Sequence, residues 1–166
     1  MKPYTTSSIL TTSINVKPSN IRGDINKLLL YILRKKYEGV CNKDGFIIKG
    51  SIELLNRSIG EIKTINNESL LKYQLTYKCD IISPSDGDQL ECHVESKNKL
   101  GIIGIIKYKP TDNATDSPFI IIIPKEYIED EKIFNRIHIN DSIQVQIKSS
   151  RIKYSSKQIQ IVATLV

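Results

Sequence analysis

Histidines and cysteines, whose acid–base and nucleophilic chemistry lies nearest neutral pH, are few in this chain of 166 residues: His93 and His138, and Cys41, Cys79 and Cys92. A catalytic nucleophile needs a base beside it and a third group to orient that base. The sequence has no GxSxG elbow, no P-loop and no GxGxxG turn to assemble one. His93 falls on the polar parity of a stretch whose apolar members are Leu90, Cys92 and Val94, and His138 sits in IHIND just before another strand-like stretch. Both read as surface histidines. The cysteines are odd in number and lack CxxC spacing, which argues against a disulfide framework and against a zinc site. Asp86-Gly87-Asp88 could open a cation loop, but Gln89, Leu90 and Cys92 follow where oxygen ligands are needed. No catalytic residue, metal or cofactor is expected.

What remains is charge. The chain carries 24 basic and 18 acidic residues, a net +6. Residues 1–80 hold 13 basic and 7 acidic side chains, whereas residues 81–166 hold 11 of each. The second half is polarised all the same. Asp86, Asp88, Glu91 and Glu95 form one acidic cluster and Glu126, Glu129, Asp130 and Glu131 another, while beyond Asp141 every charge is positive. Lys97, Lys99, Lys107, Lys109, Lys148, Arg151 and Lys153 are therefore the candidate contacts to phosphate, with Tyr108, Phe119 and Tyr154 as the aromatics nearest them. So few aromatics predict weak, salt-sensitive and sequence-tolerant binding.

The elements that must position these cations are mostly strands. Thirty Ile against two Ala favour β structure; AT-rich codon usage would also produce an Ile, Asn and Lys excess. Residues 9–17 read as a first strand stopped by Pro18. Ile21, Ile25, Leu28, Leu29, Ile32 and Leu33 recur at helical spacing, predicting one helix over roughly 20–37, capped by Ser19 or Asn20 and stopped by Gly39. Strands are expected over 46–54 and 59–65. The clearest signal follows: Leu71, Tyr73, Leu75, Tyr77, Cys79 and Ile81 alternate with polar residues, predicting a long half-buried strand over 69–82.

SPSDGD (83–88) is a dense turn signal and the expected domain boundary. Beyond it come five short strand patterns, a polar connection over 108–118 after the second, and a helix or turn in KEYIEDEKIF between the third and fourth. The apolar parity switches from Ile147 to Ile152 and Tyr154 across Ser149-Ser150, which predicts a β-bulge and hence a bent strand. This is the element order of an oligonucleotide-binding barrel. The longest apolar runs, Leu28–Leu33 and Phe119–Ile123, are too short to cross a bilayer. MKPYTTSSILTTS lacks the apolar core of a secretory signal, so a reducing intracellular compartment is expected.

This order resembles the larger stalk subunit of multisubunit DNA-directed RNA polymerases, the family of the seventh subunit of eukaryotic RNA polymerase II, its archaeal counterpart and their viral relatives. INVKPS (14–19), EGVC (38–41), GFI (45–47), Gly60 with Ile62, LTYKCDIISPSDGDQLECHVES (75–96) and IIIPKEYI (121–128) carry the likeness over nearly the whole chain. Two positions depart from it: Ile102 stands where S1-type barrels usually have an aromatic, and Cys92 where a Gly is common. The resemblance implies an α+β, RNP-like N-terminal domain (strand, helix, three strands) over residues 1–83 that docks on the polymerase. An all-β, five-stranded OB/S1-type barrel over 84–166 would follow. It further implies a non-catalytic subunit that pairs with a small helical stalk subunit and meets the core near the RNA exit channel through Ser19, Asn20, Arg22, Asp24, Gly60, Ile62, Lys63 and Asn66. The barrel would touch nascent single-stranded RNA or initiation factors. The setting would be the nucleus, or the cytoplasm or virion for a viral member. The alternative is a free-standing S1-type RNA-binding accessory factor.

Overall fold

The computed structural model describes residues 4–166. The chain divides into two compact units. One holds Thr5–Gly39 and Ile47–Ile81; the other holds Tyr4, Val40–Phe46 and Ile82–Val166. The short Val40–Phe46 segment thus groups with the C-terminal half, although it lies early in sequence.

The first unit is a five-stranded sheet with one long helix. Strands β1 (Thr5–Val16), β2 (Phe46–Ile47), β3 (Glu53–Arg57) and β4 (Glu61–Ile65) all hydrogen-bond to β5 (Glu68–Ile82). Helix α1 (Ile25–Tyr37) lays Leu29 and Leu33, both fully buried, against Ile14, Val16, Leu75, Tyr77 and Cys79. Tyr37 stacks on Tyr77 with ring centroids 5.9 Å apart. The alternation in β5 is realised as expected: Tyr73, Leu75, Tyr77, Cys79 and Ile81 are buried, and Gln74 and Lys78 are exposed.

Two local expectations are corrected. The helix does not begin at residue 20, and neither Ser19 nor Asn20 caps it. Pro18–Asn20 form a separate 3-10 turn, Gly23 turns left-handed at φ +74°, and Asp24 caps α1 by accepting from the Asn26 amide at 2.9 Å. A proline-led turn and a left-handed glycine cannot be read through by an α-helix, so Ile21 lies outside it. The expected strand over 46–54 is likewise broken into β2 and β3 by a turn at Lys49-Gly50, which lets Ile47 and Ile52 both point into the core.

The second unit is a closed five-stranded barrel. Its strands are β6 (Gln89–Asn98), β7 (Gly101–Ile105), β8 (Phe119–Pro124), β9 (Ser142–Arg151) and β10 (Ile159–Leu165). They run in the order β10-β8-β7-β6-β9, and β9 pairs with β10 to close the ring; β8 and β10 are parallel and the other pairs antiparallel. Leu90, Val94, Ile102, Phe119, Ile121, Ile123, Val145, Ile147, Ile159 and Ile161 fill the interior. Each is worth about 1.5–3 kcal/mol of apolar burial. The short helix α2 (Glu131–Arg136) buries Phe134, and Ile137 just after it is buried too.

Extra residues bend the ring. Glu95 is skipped in the β6–β7 register and Lys148 in the β9–β10 register, so the bulge in β9 falls at Lys148, just before the expected Ser149-Ser150. Gly104 leaves the room that Cys92 uses: a Cβ there would sit 2.8 Å from the Cys92 sulfur. At Gly101, φ is +149° and a Cβ would lie 2.2 Å from the Ile123 carbonyl oxygen, so the tight β6–β7 turn admits no side chain.

Burial pushes the Cys79 thiol up to about 11 and the Cys92 thiol up to about 12, with a smaller push from neighbouring Asp80 and Glu91. In the unfolded chain both ionise near about 8.5. Above that pH the folded protein keeps protons the unfolded chain has lost. The stability these thiols contribute is therefore intact below about pH 8 and is lost as pH rises toward 11–12. Thermal melts from pH 7.5 to 10.5 should show a falling midpoint, and Cys79→Ala/Cys92→Ala should fall less over the same interval; an equal fall in both proteins refutes this assignment.

Candidate nucleic-acid interface

The basic end of the chain is the 152–158 loop between β9 and β10, and neighbouring backbone holds it from two sides. Cys41 N–H donates to the Ser156 carbonyl at 2.7 Å and Ser155 N–H donates back to the Cys41 carbonyl at 2.9 Å. On the other side the Gln158 side-chain amide donates to the Ala114 and Ser117 carbonyls at 2.6 and 3.0 Å. Ser155 takes a left-handed φ of +63° to make the turn. A seven-residue loop that would otherwise sample many shapes is thereby fixed, which reduces the ordering entropy lost on binding a ligand.

The fixed loop and the adjoining strand face frame a groove of about 340 Å³ lined by Ile120, Arg151, Lys153, Ser156, Lys157, Gln158 and Gln160. Arg151, Lys153 and Lys157 are exposed, and none has an ion-pair partner among the described residues. Three cations without acidic partners and the exposed Gln160 amide form a surface suited to phosphate oxygens, whereas the Gln158 amide and the Ser156 hydroxyl are engaged in the loop's own hydrogen bonds.

The barrel face beside the groove is apolar and aliphatic. Cross-strand register places Arg151, Gln160 and Ile120 in one row, which ends at the buried Ile105, and Ser149, Val162, Ile122 and Ile103 in the next. Bases would meet isoleucine there rather than an aromatic ring. Phe119, expected near this face, points into the barrel and is 1% exposed, so it cannot stack on a base. Tyr154 is exposed in the loop itself, and Tyr108 is exposed in the 106–118 connection.

The other expected cations scatter. Lys148 is exposed at the β9 bulge, and Lys99 is exposed in the β6–β7 turn. Lys107 and Lys109 lie in the 106–118 connection, where Asp112 accepts from the Tyr108 and Lys109 amides at 2.9 and 2.8 Å. Lys97 belongs to a different job. Its ammonium donates to the Phe134 and Ile137 carbonyls at 2.6 and 2.9 Å and lies 4.4 Å from the centroid of the Phe134 ring, closing the C-terminal end of α2. Two of its three donors are occupied by these carbonyls.

In the sheet unit, the residues expected to contact a polymerase core come to one end. Ser19 and Asn20 are exposed in the 3-10 turn, and Lys17 just before it pairs with Glu68 beside the β4–β5 turn at 3.3 Å. Arg57 donates to the Asn26 side chain at 2.6 Å, tying the start of α1, next to Arg22 and Asp24, to the chain just before Gly60. Ile62, Lys63 and Asn66 are all exposed on the β4–β5 hairpin. Gly60 is half-buried because it lets the Tyr73 ring pass; a Cβ there would sit 2.9 Å from that ring.

Sequence reasoning missed Lys157, Gln158 and the Cys41 backbone. Lys157 was legible as a cation; the pinning by Cys41 and Gln158 links residues over 40 positions apart and left no local signal. Among the described residues, no three His, Cys, Asp or Glu side chains gather where a metal could sit, and no helix is long and apolar enough to cross a membrane. The sequence matches no protein-family model and no curated protein.

Removing the Lys97 ammonium should loosen α2, whereas removing an exposed groove cation should not. Lys97→Met is expected to cost about 1.5 kcal/mol or more in urea unfolding. Lys153→Met should stay within about 0.5 kcal/mol of the parent. Equal effects would remove the distinction drawn between the two lysines.

Proposed function

We propose that this protein is a non-catalytic stalk subunit of a multisubunit DNA-directed RNA polymerase, with an RNP-like docking domain followed by an OB/S1-type barrel. The observation that carries the reading is the barrel's strand order. Numbered from its own first strand, the ring runs 1-2-3-5-4 back to 1, with the parallel pair between the third and fifth and a short helix between the third and fourth. That is the arrangement of oligonucleotide-binding barrels, whose ligands lie across the second and third strands and against the loop between the fourth and fifth. The pinned basic loop 152–158 is that last loop. A strand–helix–strand sheet precedes the barrel, as the stalk reading requires.

On this reading the sheet unit docks on the polymerase core through the end that carries Ser19, Asn20, Arg22, Asp24, Ile62, Lys63 and Asn66. A small helical subunit is the stalk partner, and the barrel meets emerging RNA. The aliphatic face argues for weak contact. Stacking contributes little without aromatic platforms, so phosphate contacts dominate. About three phosphates neutralised on a single strand give a log–log salt slope of about −2.

Affinity capture of the tagged chain from its native cell or infection tests the reading directly. Co-purification of large polymerase subunits with a small helical partner is the expected result, and loss of that association on deleting residues 1–82 assigns the docking to the sheet unit. Recovery of RNA or ribosomal components without polymerase would establish the free-standing RNA-binding alternative, which the basic groove also favours. For the purified protein, Arg151→Glu/Lys153→Glu should reduce single-stranded RNA affinity at least tenfold and flatten the salt slope. Unchanged binding would place the RNA elsewhere.

A further inference from the structure

Among the described residues, strand β4 is an open edge. It pairs with β5 on one side, with Glu61 opposite Lys72, Ile62 opposite Leu71 and Ile65 opposite Glu68, and all five of its residues are exposed. Ile62 is 78% exposed, and Ile59 just before the strand is 87% exposed. The two-residue turn, Asn66-Asn67, has φ of +51° and +62°, the conformation of a type I′ hairpin. In such a hairpin the residues flanking the turn, Ile65 and Glu68, form a hydrogen-bonded pair, and the pattern alternates from there. Lys63 and Glu61 therefore bond toward β5, while Ile62 and Thr64 direct their N–H and C=O groups to the open edge.

We infer that this edge pairs with the same edge of a second copy, antiparallel and centred on Ile62. The sequence from 59 to 65, IGEIKTI, is complementary to its own reverse. With Ile62 opposite Ile62 of the second copy, each Glu61 meets a Lys63, each Gly60 a Thr64 and each Ile59 an Ile65. The outward-directed groups of Ile62 and Thr64 are then the ones that form the new hydrogen bonds, as the hairpin geometry demands. Shifting the centre to Lys63 sets Lys63 against Lys63 and Glu61 against Ile65, so charge selects the first register. Charged residues ordinarily keep an edge strand single; here their order makes them attract a copy. The interface is one short strand pair, so the dimer is weak and concentration-dependent. This pairing does not rest on the polymerase reading. A core subunit seated on the same hairpin would exclude the second copy.

Sedimentation of the full chain from about 10 μM to about 1 mM reads the proposal. Its average mass should move from one chain toward two. Glu61→Lys or Lys63→Glu alone should raise the dimer dissociation constant at least tenfold, because each sets like charges together across the interface. The double variant Glu61→Lys/Lys63→Glu should recover dimerisation. Its new cation at position 61 still repels Lys72 within each chain, so recovery can come only from contacts between chains. Ile62→Cys should form a disulfide dimer under mild oxidation, since hydrogen-bonded antiparallel partners lie about 5.5 Å apart at Cα, and the three native cysteines are buried. Circular dichroism identical to the parent shows that each variant folds. A monomer at every concentration, or a double variant no better than the singles, overturns the proposal.

Discussion

Strand β5 organises the whole N-terminal unit, because every other strand of that sheet hydrogen-bonds to it and α1 packs on its buried face. The unbroken alternation from Leu71 to Ile81 leaves one workable register. A slip by one position would carry Tyr73, Leu75, Tyr77, Cys79 and Ile81 to the opposite face and strand Lys72, Gln74 and Lys78 against the helix. The exposed hairpin follows from the same constraint. Strand β4 pairs with the first residues of β5, where the alternation carries Leu71 and Tyr73 but α1 no longer supplies a cover for Ile62.

The barrel solves a different problem. Five short strands rich in isoleucine cannot leave their edges open without inviting aggregation, and closing the ring through the parallel β8–β10 pair removes those edges. Closure requires bending, which the skipped residues Glu95 and Lys148 supply, and close approach, which Gly101 and Gly104 permit. Closure also sets the basic loop. Once β9 and β10 are fixed beside each other, the seven residues between them must project from the rim, and Cys41 and Gln158 hold them there. Arg151, Lys153 and Lys157 then converge on one groove because neighbouring backbone holds the loop beneath them.

The strands β5 through β10 were legible because period-2 alternation is a local signal, and the helix was legible by its four-residue spacing. The errors lie where two local signals competed. Asp24 and Ser19 are both good caps, and only the left-handed turn at Gly23 decides between them; the Phe46–Leu54 parity reads as one strand until Gly50 reverses the chain. For the site, the cations near the C-terminus were visible as charge, but their roles were not. Lys97 and Lys153 look alike in sequence, and the difference is that α2 folds its last carbonyls onto one of them.

Composition and patterning alone determined a strand-rich chain with one long helix, a turn-bounded C-terminal barrel pattern, a basic C-terminal segment and the self-complementary IGEIKTI stretch, because each is written in neighbouring residues. Only the tertiary structure decided which edge stays open, which lysines are free to meet a ligand, and that Phe119 is sealed inside the barrel. Those outcomes depend on contacts between residues tens of positions apart, and ring closure, helix coverage and backbone pinning have no local trace in the sequence.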